Sequence, residues 1–251
     1  MDSSNCAIII SSCDNYADAW DPFFYLFFKY WPDCPYAIYL IANNLKYQDK
    51  RVLTLNINPD DNWATNMLKA LAKIKEEYII YLQEDYFIKS KVDNNYLSSL
   101  LDIVSKESAA CLRIFPCPGP NKDYKDYANI GEIDRLAPYR VFLQAAIWNR
   151  NLLIKLIKPK ESAWNMEIAG TERSKDMASP FLSIKRSQLL PIDYLCTAIV
   201  KGRWTKEAIE LLQENNIKVK LKKRKVESKF SSIFDLVKHW LAKFRNLLFK
   251  K

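Results

Sequence analysis

Histidine and glycine are the scarce residues of this chain. A single histidine, His239, stands among 251 residues. No Ser-His-Asp triad, no histidine pair on a zinc helix and no two-histidine metal triad can therefore be assembled. The four glycines, Gly119, Gly131, Gly170 and Gly202, are dispersed. A Walker phosphate loop and a GxGxxG dinucleotide turn each need clustered glycines so that backbone can approach phosphate, and both are excluded. None of the six cysteines (Cys6, Cys13, Cys34, Cys111, Cys117 and Cys196) forms a CxxC pair. The opening MDSSNCAIII has neither the basic region nor the apolar run of a signal peptide, so reduced, mostly buried thiols in a cytoplasmic protein are expected. No run approaches 18 uninterrupted apolar residues, which argues against a membrane span.

Apolar mass and a displaced charge are what the chain does have. Apolar residues make up 49% and aromatic residues 13%, enough for a large core and for ring-lined ligand sites. The formal net charge of +9 sits at one end. Residues 218–251 hold twelve Lys/Arg against Glu227 and Asp235, which leaves residues 1–217 at −1. We read one domain over 1–217 and an appendage over 218–251. In the appendage, KVKLKKRK (218–225) is a dense basic run. Beyond it Ile233, Val237, Trp240, Leu241, Phe244, Leu247 and Leu248 fall on one stripe of a helix over 232–249. This helix either docks on the domain or lies on an anionic membrane surface, its rings in the headgroup layer and its cations beside them. The abrupt change of composition favours the membrane, at its inner, cytoplasmic face. Nucleic acid is not an expected partner, because the domain has no accompanying basic surface or binding motif.

Short apolar runs alternate with helix-length segments through the domain. CAIII (6–10), YAIYLIA (36–42), RVLTLNI (51–57), YIIYL (78–82), ACLRIF (110–115), YRVFLQAAIW (139–148) and SQLLPI (187–192) read as strands. Helices are expected over about 19–30, 63–75, 94–105, 150–157, 162–170 and 205–215, with Asp60, Asp61 or Asn62 and Thr205 as N-caps. The Pro- and Gly-marked stretch 116–138 reads as exposed loop. This rhythm predicts an α/β fold with a largely parallel sheet, and such sheets bind ligands outside the carboxyl ends of their strands. That rule selects residues 11–15, Asn43 with Asn44, and Glu84 with Asp85.

Adjacent carboxylates at the end of an apolar strand are costly unless they bind something. A hard cation such as Mg²⁺ or Mn²⁺ holding a diphosphate fits them, and a solvated strand-end pair is the plain alternative. Arg113, inside an apolar strand, needs an anionic partner. That partner is either a diphosphate or Glu84 or Asp85 in an internal salt bridge. Trp148 and Trp164 offer stacking faces for an acceptor sugar or belong to the core; Gln144 bonds a sugar or holds structure. With the one histidine in the appendage, carboxylates are the general bases left. Glu167 suits a sugar hydroxyl chemically, or is a helix-surface residue.

The stretch WATNMLKAL…YIIYLQEDYFI (63–88), followed by YRVFLQAAIWNRNLL (139–153) and ESAWNME (161–167), resembles bacterial sugar-nucleotide glycosyltransferases of the GT-A fold. The resemblance spans most of residues 6–215. It implies a GT-A-like domain in which a helix leads into a strand that ends at an acidic motif. In the acceptor half, a small-residue strand leads to a helix and an acidic residue, which is the base in inverting members. On that match Asp85 is the diphosphate- or metal-binding acid and Glu167 the base. Ser12, Asp14, Asn43, Asn44, Asn66, Glu84 and Arg113 join Asp85 on the donor side, and Gln144, Trp148 and Trp164 line the acceptor side. The motif reads Glu84-Asp85-Tyr86 rather than D-x-D, so a metal-independent site is the alternative to Mg²⁺ or Mn²⁺. Asn43 and Asn44 stand where the family usually has a uridine-holding Asp. The implied reaction moves a sugar from a nucleotide-sugar donor to a hydroxyl of a glycan or lipid-linked oligosaccharide acceptor, as in lipopolysaccharide, O-antigen or capsule assembly. Two alternatives remain. A nucleotidyltransferase acting on sugar phosphates would share the carboxylates but normally carries a Gly-rich basic loop near the N-terminus, which is absent. A non-catalytic membrane-associated adaptor would need only the appendage and a stable domain.

Overall fold

CAIII, without a polar residue, becomes the start of β1 (Cys6–Ser11), and every residue of β1 is buried. A strand with both faces covered needs exactly such a run. The computed structural model describes residues 5–186, 189–219, 221 and 223–226. Around β1 lie β2 (Ala37–Ala42), β3 (Val52–Asn56) and β4 (Tyr78–Gln83), all parallel. Beyond β4 come β5 (Cys111–Arg113), β6 (Lys122–Asp123), β7 (Ile130–Glu132), β8 (Ala146–Asn149) and β9 (Phe181–Ile184). The nine strands form one sheet in the order β3-β2-β1-β4-β8-β5-β9-β7-β6. Only β8 and β7 run against the rest. The result is the mixed α/β, largely parallel sheet expected.

The helices are α1 (Ala17–Tyr30), α2 (Trp63–Leu71), α3 (Asn94–Lys106), α4 (Arg150–Leu156) and α5 (Ala163–Ser174). Asn62 caps α2 by accepting the Thr65 N–H at 3.0 Å. The main core packs Ile9, Ile41, Met67, Leu71, Tyr81, Trp148, Leu153, Met166 and Phe181 together, joining α2, α4 and α5 to the sheet.

Two features of this layout position the site. The chain runs outward from β1 to β3 and then returns to β4 on the other side of β1, so strand order reverses between β1 and β4. Ligands of open α/β sheets bind at such a switch point, outside the carboxyl ends. Moreover, Ile9, Tyr81, Ala146, Arg113 and Ser183 form one row across β1, β4, β8, β5 and β9. Three residues further on in sequence, just past the carboxyl ends of the strands of common direction, come Ser12, Glu84, Pro116 and Arg186.

Some expectations needed correction. The strand expected over 139–148 survives only as β8, because the N–H groups of Val141, Leu143 and Ala145 bond to side chains of other elements instead of to a neighbouring strand. Residues 189–192 are not strand; the nearby strand is β9, earlier in the chain. The stretch 116–138 contributes the short β6 and β7.

The chain divides into two compact units after Cys196, upstream of the compositional boundary near residue 217. In the second unit, β10 (Ile199–Val200) and β11 (Arg203–Trp204) form a hairpin around Lys201 and Gly202, both at positive φ. That is the geometry a two-residue turn needs, and Gly202 adopts it without strain. Thr205 caps α6 (Lys206–Glu214) as expected, accepting the Ala208 N–H. The amphipathic stripe over 232–249 lies outside the described residues.

Candidate active site

At the carboxyl ends of β1 and β2 the expected donor residues bond to other groups of the protein. The Asp14 carboxylate accepts the backbone N–H groups of Asn43, Asn44 and Leu45 at 2.9–3.3 Å. In return Asn43 Oδ1 accepts the Asp14 N–H at 2.9 Å. Asp14 thus ties the end of β1 to the end of β2. Ser12 Oγ accepts from Trp20 Nε1, and Asn44 Oδ1 accepts from Asn58 Nδ2. Asn66 uses both ends of its amide on the loop before α2, donating to Asp60 and accepting from the Asp61 N–H. These side chains tie together the loops that follow β1 and β2 and precede α2.

Glu84 and Asp85 occupy the turn after β4, and each is only 8% exposed. The turn is pinned on both sides to one carbonyl: Gln83 Nε2 and the Tyr86 hydroxyl both donate to Leu143 C=O, at 3.1 and 2.7 Å. Tyr86 stacks on Tyr194 at 4.9 Å, and Tyr194 meets Phe115 at 4.9 Å. Burial raises the Cys13 thiol, with the Glu84 charge adding to it, and burial pushes Cys196 up to about 12, with Cys117 and Asp85 adding. Thiols held protonated in this way are poor nucleophiles.

Glu167 approaches from α5, whose N-terminus is capped by Ser162 accepting the Asn165 N–H. Its carboxylate is 8% exposed and accepts the Leu143 N–H at 2.9 Å. One residue, Leu143, therefore connects Glu167 through its N–H to the acid turn through its C=O. Two residues earlier, the Val141 N–H bonds Thr171 Oγ1 on the same helix. Burial pushes Glu167 up to about 7, against the Leu143 hydrogen bond and the charge of Arg113, which both lower it. A carboxyl poised near neutrality suits general-base work.

The remaining expected residues divide. Trp164, one turn before Glu167, is 43% exposed and meets Tyr139 edge-on. Gln144 accepts the Tyr194 hydroxyl at 2.8 Å, and that hydroxyl accepts the Ala145 N–H. Trp148 must be corrected: it is fully buried on β8, packed edge-on against Phe181, and has no face for a sugar. Arg113 must be corrected too. Its guanidinium is buried and donates to the carbonyls of Pro118 (2.7 Å), Arg140 (2.9 Å) and Tyr139. It is a strut that binds three loop carbonyls. Residues the sequence did not single out are Leu143, Tyr86 and Tyr194; the first acts through its backbone, which leaves no mark in its side chain.

Among the described residues no group of three or more His, Cys, Asp and Glu side chains could hold a metal ion. Glu84 and Asp85 supply two hard oxygen donors, a set that fits Mg²⁺ or Mn²⁺ when phosphate oxygens complete the coordination.

No protein-family model matches the chain, and no curated protein matches it. Among solved structures it is similar to residues 1–349 of TarS from S. aureus, with TM-score 0.51 and 12% identity over 77% of this chain. This chain spans 60% of the length of that one. TarS in complex with UDP-GlcNAc aligns at TM-score 0.47 and 13% identity over 84% of this chain and 65% of that one. A cytidylyltransferase from Leptospira borgpetersenii aligns at 0.47 and 10% identity, over 90% of this chain and 99% of the other. The likeness is one of architecture: the described domain has the Rossmann-like α/β fold of the GT-A and nucleotidyltransferase type.

Proposed function

We propose that the chain is a glycosyltransferase that moves a sugar, with inversion, from a nucleotide-sugar donor to a hydroxyl of a glycan or lipid-linked oligosaccharide of the cell surface. The observation that carries this reading is the single-residue link between Glu167 and the Glu84-Asp85 turn through Leu143. That link supports a base of near-neutral affinity acting with the acid turn, because Gln83 and Tyr86, which flank Glu84 and Asp85, share Leu143 with Glu167. The donor diphosphate lies at the switch point. The acceptor hydroxyl attacks the anomeric carbon from the face opposite the leaving group, and its proton passes to Glu167. The bond from the anomeric carbon to the diphosphate oxygen breaks with its electron pair, so the nucleoside diphosphate departs and Glu167 later returns its proton to solvent. Glu84 and Asp85 would hold Mg²⁺ or Mn²⁺, which when bound neutralises charge on the departing diphosphate. Trp164 offers the acceptor sugar a face, and Gln144 positions Tyr194 under the turn.

The nucleotidyltransferase alternative wants a Gly-rich, basic loop after the first strand. In its place stands a single 3-10 turn, Asp14–Tyr16, whose first residue is an acid bonded to the β2 end. The crystal form of TarS with UDP-GlcNAc makes uridine-linked sugars the first donors to try. In assays of nucleoside diphosphate release with such donors and surface-glycan acceptors, Glu167→Gln should lower turnover by about 10²–10⁴-fold with donor affinity retained. Turnover near that of the parent protein would overturn the assignment. The basic appendage, in this reading, holds the enzyme at the inner face of the membrane where lipid-linked acceptors are assembled.

A further inference from the structure

A cleft of about 550 Å³ opens on the same sheet edge as the acid turn, between the 118–123 segment and the residues that follow β9. Its walls are fixed by the protein. Arg113 holds the Pro118 carbonyl at 2.7 Å, and the Asn121 N–H bonds the Glu132 carbonyl at 2.9 Å. Gly131 lets that wall close, since a Cβ there would stand 2.6 Å from both the Lys122 carbonyl and Pro120. The lining carries three cations, Lys122, Lys185 and Arg186, and one anion, Asp123. Lys185 pairs with Asp123 at 2.7 Å, and the half-exposed Lys122 stands 3.3 Å from Glu132 and 3.8 Å from Asp134. Arg186 has no ion pair among the described residues. Its stem lies over Gly119, where an added Cβ would meet Arg186 Nε at 3.2 Å. The guanidinium is thus seated by backbone and left with its fork of donors for something else.

Position along the sheet gives the cleft its meaning. Arg186 and Glu84 stand the same number of residues past one cross-sheet row, in the turns that follow β9 and β4. Three strand spacings separate those strands, roughly 14 Å. The aromatic run Tyr86, Tyr194, Phe115 leads from the acid turn toward the 116–118 loop. The Arg186 guanidinium, which shares its cleft with two lysines already paired to carboxylates, presents a planar fork of donors that recognises phosphate or carboxylate oxygens. The donor diphosphate is placed at the β1/β4 crevice, so it does not account for a second anion-binding point this far along the edge.

We propose that this cleft is an anion subsite for the acceptor, gripping a phosphate or carboxylate group on the glycan at the span of a short oligosaccharide from the reacting hydroxyl. The inference rests on the glycosyltransferase reading for the word acceptor, but the binding itself does not depend on turnover. Calorimetric titration of the full chain with glucose 6-phosphate and with glucuronate should show binding that neutral glucose lacks. Arg186→Gln and Lys185→Gln, both surface changes, should each weaken it at least tenfold, and saturating UDP should leave it in place. Unchanged binding in Arg186→Gln, or displacement of either sugar by UDP, overturns the proposal. In transfer assays the same Arg186→Gln variant should raise KM for charged acceptors at least tenfold more than for neutral ones. Equal effects on both would overturn the acceptor assignment even where the anion binds. Loss of transfer in every form of the protein, with the calorimetric pattern intact, would instead count against the catalytic reading of Glu167.

Discussion

Glu167 carries two linked consequences. Its carboxyl titrates near 7 in the fold against 4.5 for an unperturbed group, so the folded chain holds that proton more firmly than the unfolded one. The resulting stabilisation is fully present below pH 4.5 and is lost as pH rises through 7, a swing of roughly 3 kcal/mol at 1.36 kcal/mol per pKa unit. Glu167→Gln keeps an acceptor for the Leu143 N–H without a charge to bury. Calorimetry should therefore find its Tm above that of the parent protein at pH 8 and level with it at pH 4. In its proposed role as base Glu167 must be ionised, so kcat/KM should fall about tenfold per pH unit below 7, and a profile flat from pH 5 to 8 would count against that role. Arg113 bears on the same residue. Arg113→Met strands three buried carbonyls, at roughly 1–3 kcal/mol each, and removes the cation that lowers Glu167. Denaturant melts should show the loss, and the midpoint of the pH profile should move upward. The sequence made Arg113 conspicuous as a charge in an apolar strand. Its partners were illegible because they are backbone carbonyls, which no side chain announces.

At the scale of elements, the strands of the first half could be read almost to the residue, because buried parallel strands are uniform apolar runs bounded by polar turns. The caps were readable as well: Asn62 and Thr205 are short polar residues at helix entries, and each accepts an N–H from its own first turn. The segment 139–145 could not be read. Its apolar residues look like a strand, yet its N–H groups bond Thr171, Glu167 and Tyr194, and its Leu143 carbonyl takes two donors from the β4 end. Such a segment is held by side chains far away in sequence, and periodicity contains no record of them. Tyr86→Phe removes one of the two donors on that carbonyl while filling the same space. It should lower stability by about 1 kcal/mol in thermal melts and reduce kcat more than it changes donor affinity, because Leu143 then holds Glu167 less firmly.

At the scale of the molecule, the first unit was legible as a class and the reversal of strand order between β1 and β4 was not, since pairing between distant strands leaves little trace in a single chain. The rule that ligands gather at carboxyl strand ends nevertheless singles out Glu84 and Asp85 from the sequence, and both do follow the end of β4. The basic appendage yields a prediction of its own. In flotation with vesicles containing anionic lipid, the full chain should rise with the lipid, and a double change of Trp240→Ser and Phe244→Ser should leave it largely behind. Equal flotation of the two proteins would remove the membrane from the picture.

On the proposed acceptor reading, the cross-sheet row that runs from β4 to β9, with Glu84 and Arg186 just past its strands, would act as something like a ruler. A polymer gripped at one mark would be decorated at the other. Chains whose charges recur at that pitch would be modified at regular intervals, and chains of a different pitch would pass through sparsely marked.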